Sequence, residues 1–96
     1  MKAKIWNKSY WIGETRADVL YSNYEKMLKD AGFCIFGDLQ KCFYPQGYTC
    51  IFLLGESHFA VHTFPEHGKT YVELSSCNEE KYNAFLEMDC FERVDG

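Results

Sequence analysis

Leu53-Leu54-Gly55-Glu56-Ser57-His58-Phe59-Ala60-Val61-His62-Thr63-Phe64-Pro65-Glu66 is the stretch on which the reading of the chain turns. Two apolar runs flank Gly55-Glu56-Ser57-His58, and Gly and Ser are ordinary turn residues, so the segment predicts a hairpin corner. The second run alternates, is rich in aromatic and β-branched residues and is stopped by Pro65, which predicts a strand over Phe59–Phe64. On a strand, His58 and His62 are ~13 Å apart, which argues against a shared metal. His62 is then either a structural histidine or a general base. A strained corner would also let Ser57 Oγ attack the Glu56 carbonyl beside it.

Working outward, Thr49–Leu54 is apolar on both faces and predicts a buried third strand. Pro45-Gln46-Gly47 is a turn; before it, Phe33–Phe36 starts a second strand, broken at Gly37-Asp38 and resumed through Cys42–Tyr44. Tyr24, Met27, Leu28 and Ala31 have helical spacing, with Ser22 or Asn23 as cap and Gly32 as stop. Thr15–Tyr21 reads as a first strand, and residues 1–13 as a lead-in with room for a short strand, ending at Gly13. Downstream, Lys69–Cys77 is a fifth strand. Ser76 or Asn78 caps a final helix: Ser76-x-x-Glu79 has the capping-box spacing, and Tyr82, Phe85, Leu86 and Asp89 or Cys90 form its inner stripe.

Period two sorts the strand side chains. Phe59, Val61 and Thr63 share one face with Thr70, Val72, Leu74 and Ser76 as their counterparts; His58, Ala60, His62 and Phe64 share the other with Lys69, Tyr71, Glu73, Ser75 and Cys77. The predicted fold is α+β, a two-layer sandwich of a mainly antiparallel sheet with helices on one face. The opposite face is then polar and partly aromatic, open to a ligand or a second subunit.

At 96 residues the chain is one domain, 1–96, with 47% apolar content, ample for a core. A small sheet often completes its burial by association, so at least a homodimer is expected. Net charge −4 argues against nucleic acid, which selects a basic surface. No apolar run reaches the ~20 residues of a membrane span, and no signal region follows the N-terminus. Cys34, Cys42, Cys50, Cys77 and Cys90 are odd in number and lack a CxxC pair, which favours reduced thiols and a cytoplasmic location. All five read by default as buried small apolar residues, but Cys77, just ahead of a helix, also sits where a thiol is activated. Glu66 reads by default as a solvated carboxylate, and Phe43 and Phe64 as core or interface aromatics.

Together these residues resemble the small, prokaryotic-type S-adenosylmethionine decarboxylases. The resemblance is carried by Phe43-x-Pro45-x-Gly47-x-Thr49, Glu56-Ser57-His58, His62-Thr63-Phe64-Pro65-Glu66 and Cys77. It implies self-cleavage between Glu56 and Ser57 by an N→O acyl shift and β-elimination. Residues 1–56 become a β chain and residues 57–96 an α chain, with Ser57 converted to a covalent pyruvoyl group. By the same resemblance, His62 removes the proton for elimination and Thr49 stabilises the cyclic intermediate. In turnover the pyruvoyl ketone takes up the substrate amine and serves as electron sink, and Cys77 protonates the substrate carbon. Glu66 binds ribose, Phe43 and Phe64 stack on adenine or face the sulfonium, no metal is needed, and the site is shared between subunits of a dimer.

Thr49 stands where the family usually has Ser, and Phe64 where it usually has Trp. The segment after the last helix is short. These departures leave two alternatives to S-adenosylmethionine decarboxylation for spermidine synthesis: a pyruvoyl-dependent arginine or ornithine decarboxylase, and an uncleaved regulatory paralogue.

Overall fold

The computed structural model describes residues 3–96. It contains strands β1 (Trp6–Ile12), β2 (Gly37–Cys42), β3 (Tyr48–Leu53), β4 (His58–Phe64), β5 (Lys69–Ser76) and β6 (Arg93–Val94), with helices α1 (Ala17–Asp30) and α2 (Glu79–Met88). All pairings are antiparallel, in the order β2-β3-β4-β5-β1-β6. Tyr10, Ile12, Cys50, Phe52, Phe59, Val61, Val72 and Leu74 on one sheet face join Leu20, Tyr24 and Leu28 of α1 and Phe85 of α2 in one core. Tyr24 packs on Phe59 with ring centroids 4.6 Å apart, and Phe59 on Phe85 at 5.0 Å. The two-layer α+β sandwich with helices on one face is the architecture the sequence predicts.

Several local expectations are corrected. Thr15–Tyr21 is not a strand: α1 begins at Ala17, and Ala17, Leu20 and Tyr21 extend the stripe of Tyr24 and Leu28 back by one turn. Ser22 and Asn23 are not caps. They sit inside α1, where Ser22 Oγ donates to the Asp18 carbonyl at 2.9 Å and Asn23 Nδ2 to that of Val19 at 2.7 Å. The helix start is held instead by Glu14, whose Oε2 accepts the Thr15 and Arg16 N–H groups at 3.1 and 3.0 Å. Its end is as expected. Gly32 takes φ +105°, its N–H bonds the Lys29 carbonyl and that of Phe33 the Leu28 carbonyl, both at 3.0 Å, a Schellman closure.

The first strand is β1, inside the segment read as a lead-in; the first two residues of that segment lie outside the described residues. Lys8 on its inward side and Trp11 on its outward side blur the alternation. β2 occupies Gly37–Cys42, starting at the expected Gly37-Asp38 break and stopping before Phe43-Tyr44, and Phe33–Phe36 lies outside it; it is an edge strand, and an edge tolerates polar residues such as Asp38, Gln40 and Lys41. β3 is buried on one face only: Ile51 and Leu53 are exposed on the other. The cap of α2 is Asn78, whose Oδ1 accepts the Lys81 N–H at 3.0 Å, so Ser76 and Glu79 form no capping box. All five cysteines are free, and only Cys50 is buried, which corrects the default for the other four.

Candidate active site

The corner between β3 and β4 is closed by the Leu54 N–H donating to the Ser57 carbonyl at 2.9 Å. Gly55 takes φ +83°, the positive value that a two-residue hairpin demands of its first central residue in the type II′ form. Ser57 is only 5% exposed because it continues the inward face of β4. Its Oγ donates to Ser76 Oγ at 3.0 Å and accepts the Cys77 N–H at 3.4 Å. The Cys77 thiol is exposed and donates to Glu56 Oε2 at 3.9 Å. The adjacent Glu56 and Ser57 thus meet Cys77, 20 residues further on, where the end of β5 passes the corner.

A second cluster lies at the other end of these strands, on the outward face. Thr49 and His62 are direct partners across β3 and β4, with Oγ1 and Nδ1 3.0 Å apart. Phe43, Gly47, Thr49, His62, Phe64 and Glu66 line a cavity of about 290 Å³. Phe43 and Phe64 are half-exposed here, so neither is a core residue. Pro65 turns the chain into a short 3₁₀ segment that carries Glu66 to the cavity rim. Trp11 packs against Phe64 with centroids 5.6 Å apart and against Tyr71 at 5.4 Å. The rings of His62 and Tyr71 lie nearly parallel at 6.3 Å.

Within one chain the two clusters do not meet. Ser57 and His62 are five residues apart on extended chain, ~17 Å, and face opposite sides of the sheet. Thr49 and His62 are brought together, as are Glu56, Ser57 and Cys77, but the first set is not brought to the second. Between them the β2–β3 part of the outward face is apolar: Leu39 is 75% and Leu53 53% exposed, and with Ile51 they line a hollow of about 300 Å³.

Ser76, Trp11 and Tyr71 were not read as site residues from the sequence. The face assignment of β5 already set Ser76 on the same side as Thr63 and Val61, which was the available signal. Trp11 had none, because its strand was not recognised.

The family model for S-adenosylmethionine decarboxylase matches residues 15–89. The S-adenosylmethionine decarboxylase proenzyme of Archaeoglobus fulgidus is 32% identical over 77 residues, covering 75% of this chain and 69% of that protein. The proenzyme of Persephonella marina is 40% identical over 53 residues, covering 55% of this chain and 40% of that protein. The crystal structure of the adenosylmethionine decarboxylase from Aquifex aeolicus superposes with a TM-score of 0.73 at 24% identity, over 86% of this chain and 73% of that one, a likeness of fold. The class these matches define is that of the carboxy-lyases. The chain belongs to the S-adenosylmethionine decarboxylase family, which is generally pyruvoyl-dependent. The resemblance noted from the motifs around Ser57 and His62 is borne out at the level of family.

Proposed function

We propose that this protein cleaves itself between Glu56 and Ser57 and decarboxylates S-adenosylmethionine for spermidine synthesis. The observation that carries this reading is the Ser57 corner: a buried hydroxyl, partnered on both sides, at a tight turn beside Cys77. These residues fit a pyruvoyl group made in place, since Ser57 supplies its carbon atoms and the Cys77 backbone is already against it. Once formed, that ketone supplies an electron sink for loss of carbon dioxide.

The chain's own residues have separable parts in this proposal. His62, with Nδ1 fixed by Thr49, acts as base on the Ser57 region during processing, and Cys77 delivers a proton to the substrate carbon. Phe43 and Phe64 offer aromatic faces and Glu66 a carboxylate, a set suited to a purine, a sulfonium and ribose hydroxyls. Trp11 against Phe64 enlarges that aromatic surface, which favours the nucleoside substrate over arginine or ornithine.

The separation of Ser57 from His62 supports a homodimer in which the Thr49–His62 pair of one copy serves Ser57 of the other. The exposed Leu39, Ile51 and Leu53 supply the apolar surface for such an association. A cytoplasmic location, with neither nucleic acid nor membrane as partner, completes the reading. Among the described residues no helix is long and apolar enough to cross a membrane.

Intact mass of the purified protein tests the cleavage. Two chains, 1–56 and 57–96, with a pyruvoyl-bearing start on the second, are expected, and Ser57→Ala should yield one unbroken chain. An unbroken parent chain would favour the regulatory paralogue instead. Carbon dioxide release from labelled S-adenosylmethionine, arginine and ornithine then identifies the substrate.

A further inference from the structure

We infer that Ser76 is a catalytic residue of the self-cleavage, donating a hydrogen bond to the oxygen that leaves when the chain breaks. The inference rests on the self-cleavage reading and adds to it a residue outside the set of Thr49, His62 and Cys77.

Ser76 is fully buried at the end of β5, and its Oγ lies 3.0 Å from Ser57 Oγ. A hydroxyl offers one donor and two acceptor sites. In the intact chain Ser76 Oγ accepts the Ser57 hydroxyl and also the Asn78 N–H at 3.0 Å. Its own proton points to the Asn78 carbonyl at 3.4 Å, beyond the usual range for an O–H donor. That proton is therefore the loosely held one at this corner.

The covalent steps decide when it is used. In the acyl shift the bond from Ser57 Oγ to the Glu56 carbonyl carbon forms, the Glu56–Ser57 C–N bond breaks, and the hydroxyl proton ends on the Ser57 nitrogen. Ser57 Oγ is then an ester oxygen without a proton, and Ser76 changes from acceptor to donor toward it. In the elimination a base takes the Ser57 Cα proton, the Cβ–Oγ bond breaks, and Oγ departs as one oxygen of a new Glu56 carboxylate. Water then hydrolyses the remaining dehydroalanine to the ketone, releasing ammonia. Negative charge develops on Oγ only in the elimination. A donor already 3.0 Å away, in a buried site and seconded by the Cys77 N–H at 3.4 Å, acts most strongly there. Ser76 should thus speed the second step far more than the first.

The test is cell-free synthesis of the full chain with samples taken over time, each split between direct intact-mass analysis and treatment with hydroxylamine, which cuts esters but not amides. Ser76→Ala is expected to slow chain breakage about 10- to 100-fold, with a hydroxylamine-sensitive ester accumulating. Ser76→Thr, which keeps the hydroxyl, should break at close to the parent rate. If Ser76→Ala does not fold, judged by its thermal melt, Ser76→Cys takes its place: similar in size, a weak donor, and expected to slow with the same ester build-up. Breakage of the Ala or Cys variant at the parent rate overturns the inference, as does slowing without ester. A parent chain that never breaks overturns the self-cleavage reading itself, a distinct result.

Discussion

Thr49 Oγ1 lies 3.0 Å from His62 Nδ1 across β3 and β4, on the sheet face turned away from Ser57. The hydrogen bond engages one of the two ring nitrogens of His62. No rotamer change carries either side chain through the sheet to the Ser57 corner, so the proposed base at His62 would have to act on Ser57 of a second copy.

That relationship makes complementation the sharpest experiment. Ser57→Ala and His62→Ala should each fail to cleave when made alone. Co-expressed, the His62→Ala chain should cleave, because its Ser57 meets the His62 of a Ser57→Ala partner. Mass spectrometry distinguishes the two chains; no cleavage in the mixture would place the whole reaction within one chain.

Thr49→Val removes the hydroxyl while keeping the branched shape. Losing one neutral hydrogen bond to a residue that must turn over a proton should slow processing about 10-fold, whereas Thr49→Ser should match or exceed the parent, being freer at χ1. The time course of chain breakage by denaturing gel checks both.

Asp89 ties the C-terminal end of α2 to the core by accepting the hydroxyls of Tyr10 and of Tyr24, the latter at 2.8 Å. Burial first, then the Asp89 carboxylate, pushes both phenols well above their ordinary range. Asp89→Ala removes the acceptor shared by two buried hydroxyls, only one of which can then be satisfied by the other, so a loss of about 1–3 kcal/mol is expected, and Asp89→Asn should cost less because an acceptor oxygen remains. Urea denaturation of the two variants measures the difference.

Glu14 holds the start of α1 and bonds the Arg16 guanidinium at 2.9 Å. The Arg16 side-chain hydrogen bonds, then its backbone N–H, lower the Glu14 carboxyl to about 2. A group whose folded value is depressed lends its stability above the unfolded carboxylate range and loses it as pH falls toward the folded value. Stability should therefore decline as pH drops from the ordinary carboxylate range to about 2, and Arg16→Ala should weaken that dependence. NMR titration of the Glu14 side chain, with urea midpoints across the same range, tests this; a Glu14 titrating at an ordinary carboxylate value would contradict it.

Strands β4 and β5, the stripe of α2 and the second half of that of α1 were legible because each obeys one period without interruption. The edges were not. β1 mixes Lys8 and Trp11 into its alternation, and β2 carries Asp38, Gln40 and Lys41, so neither shows the pattern of a half-buried strand. Ser22 and Asn23 have the chemistry of caps but found helix carbonyls one turn back. Glu14, whose carboxylate accepts the Thr15 and Arg16 N–H groups just ahead of α1, lies two residues before the N-cap position.

From residue types and spacing alone came the α+β class, the hairpin corner and the face shared by His62 and Phe64, while the family entered as a resemblance carried by short motifs. Those follow from local periods and short motifs, which a linear chain displays directly. The tertiary structure alone decided which of these residues meet. It joined Ser57 to Ser76 and Cys77 and set Thr49 and His62 on the far face, because strand register and side-chain parity, fixed by burying Phe59 and its neighbours under two helices, are properties of paired strands and not of any one segment.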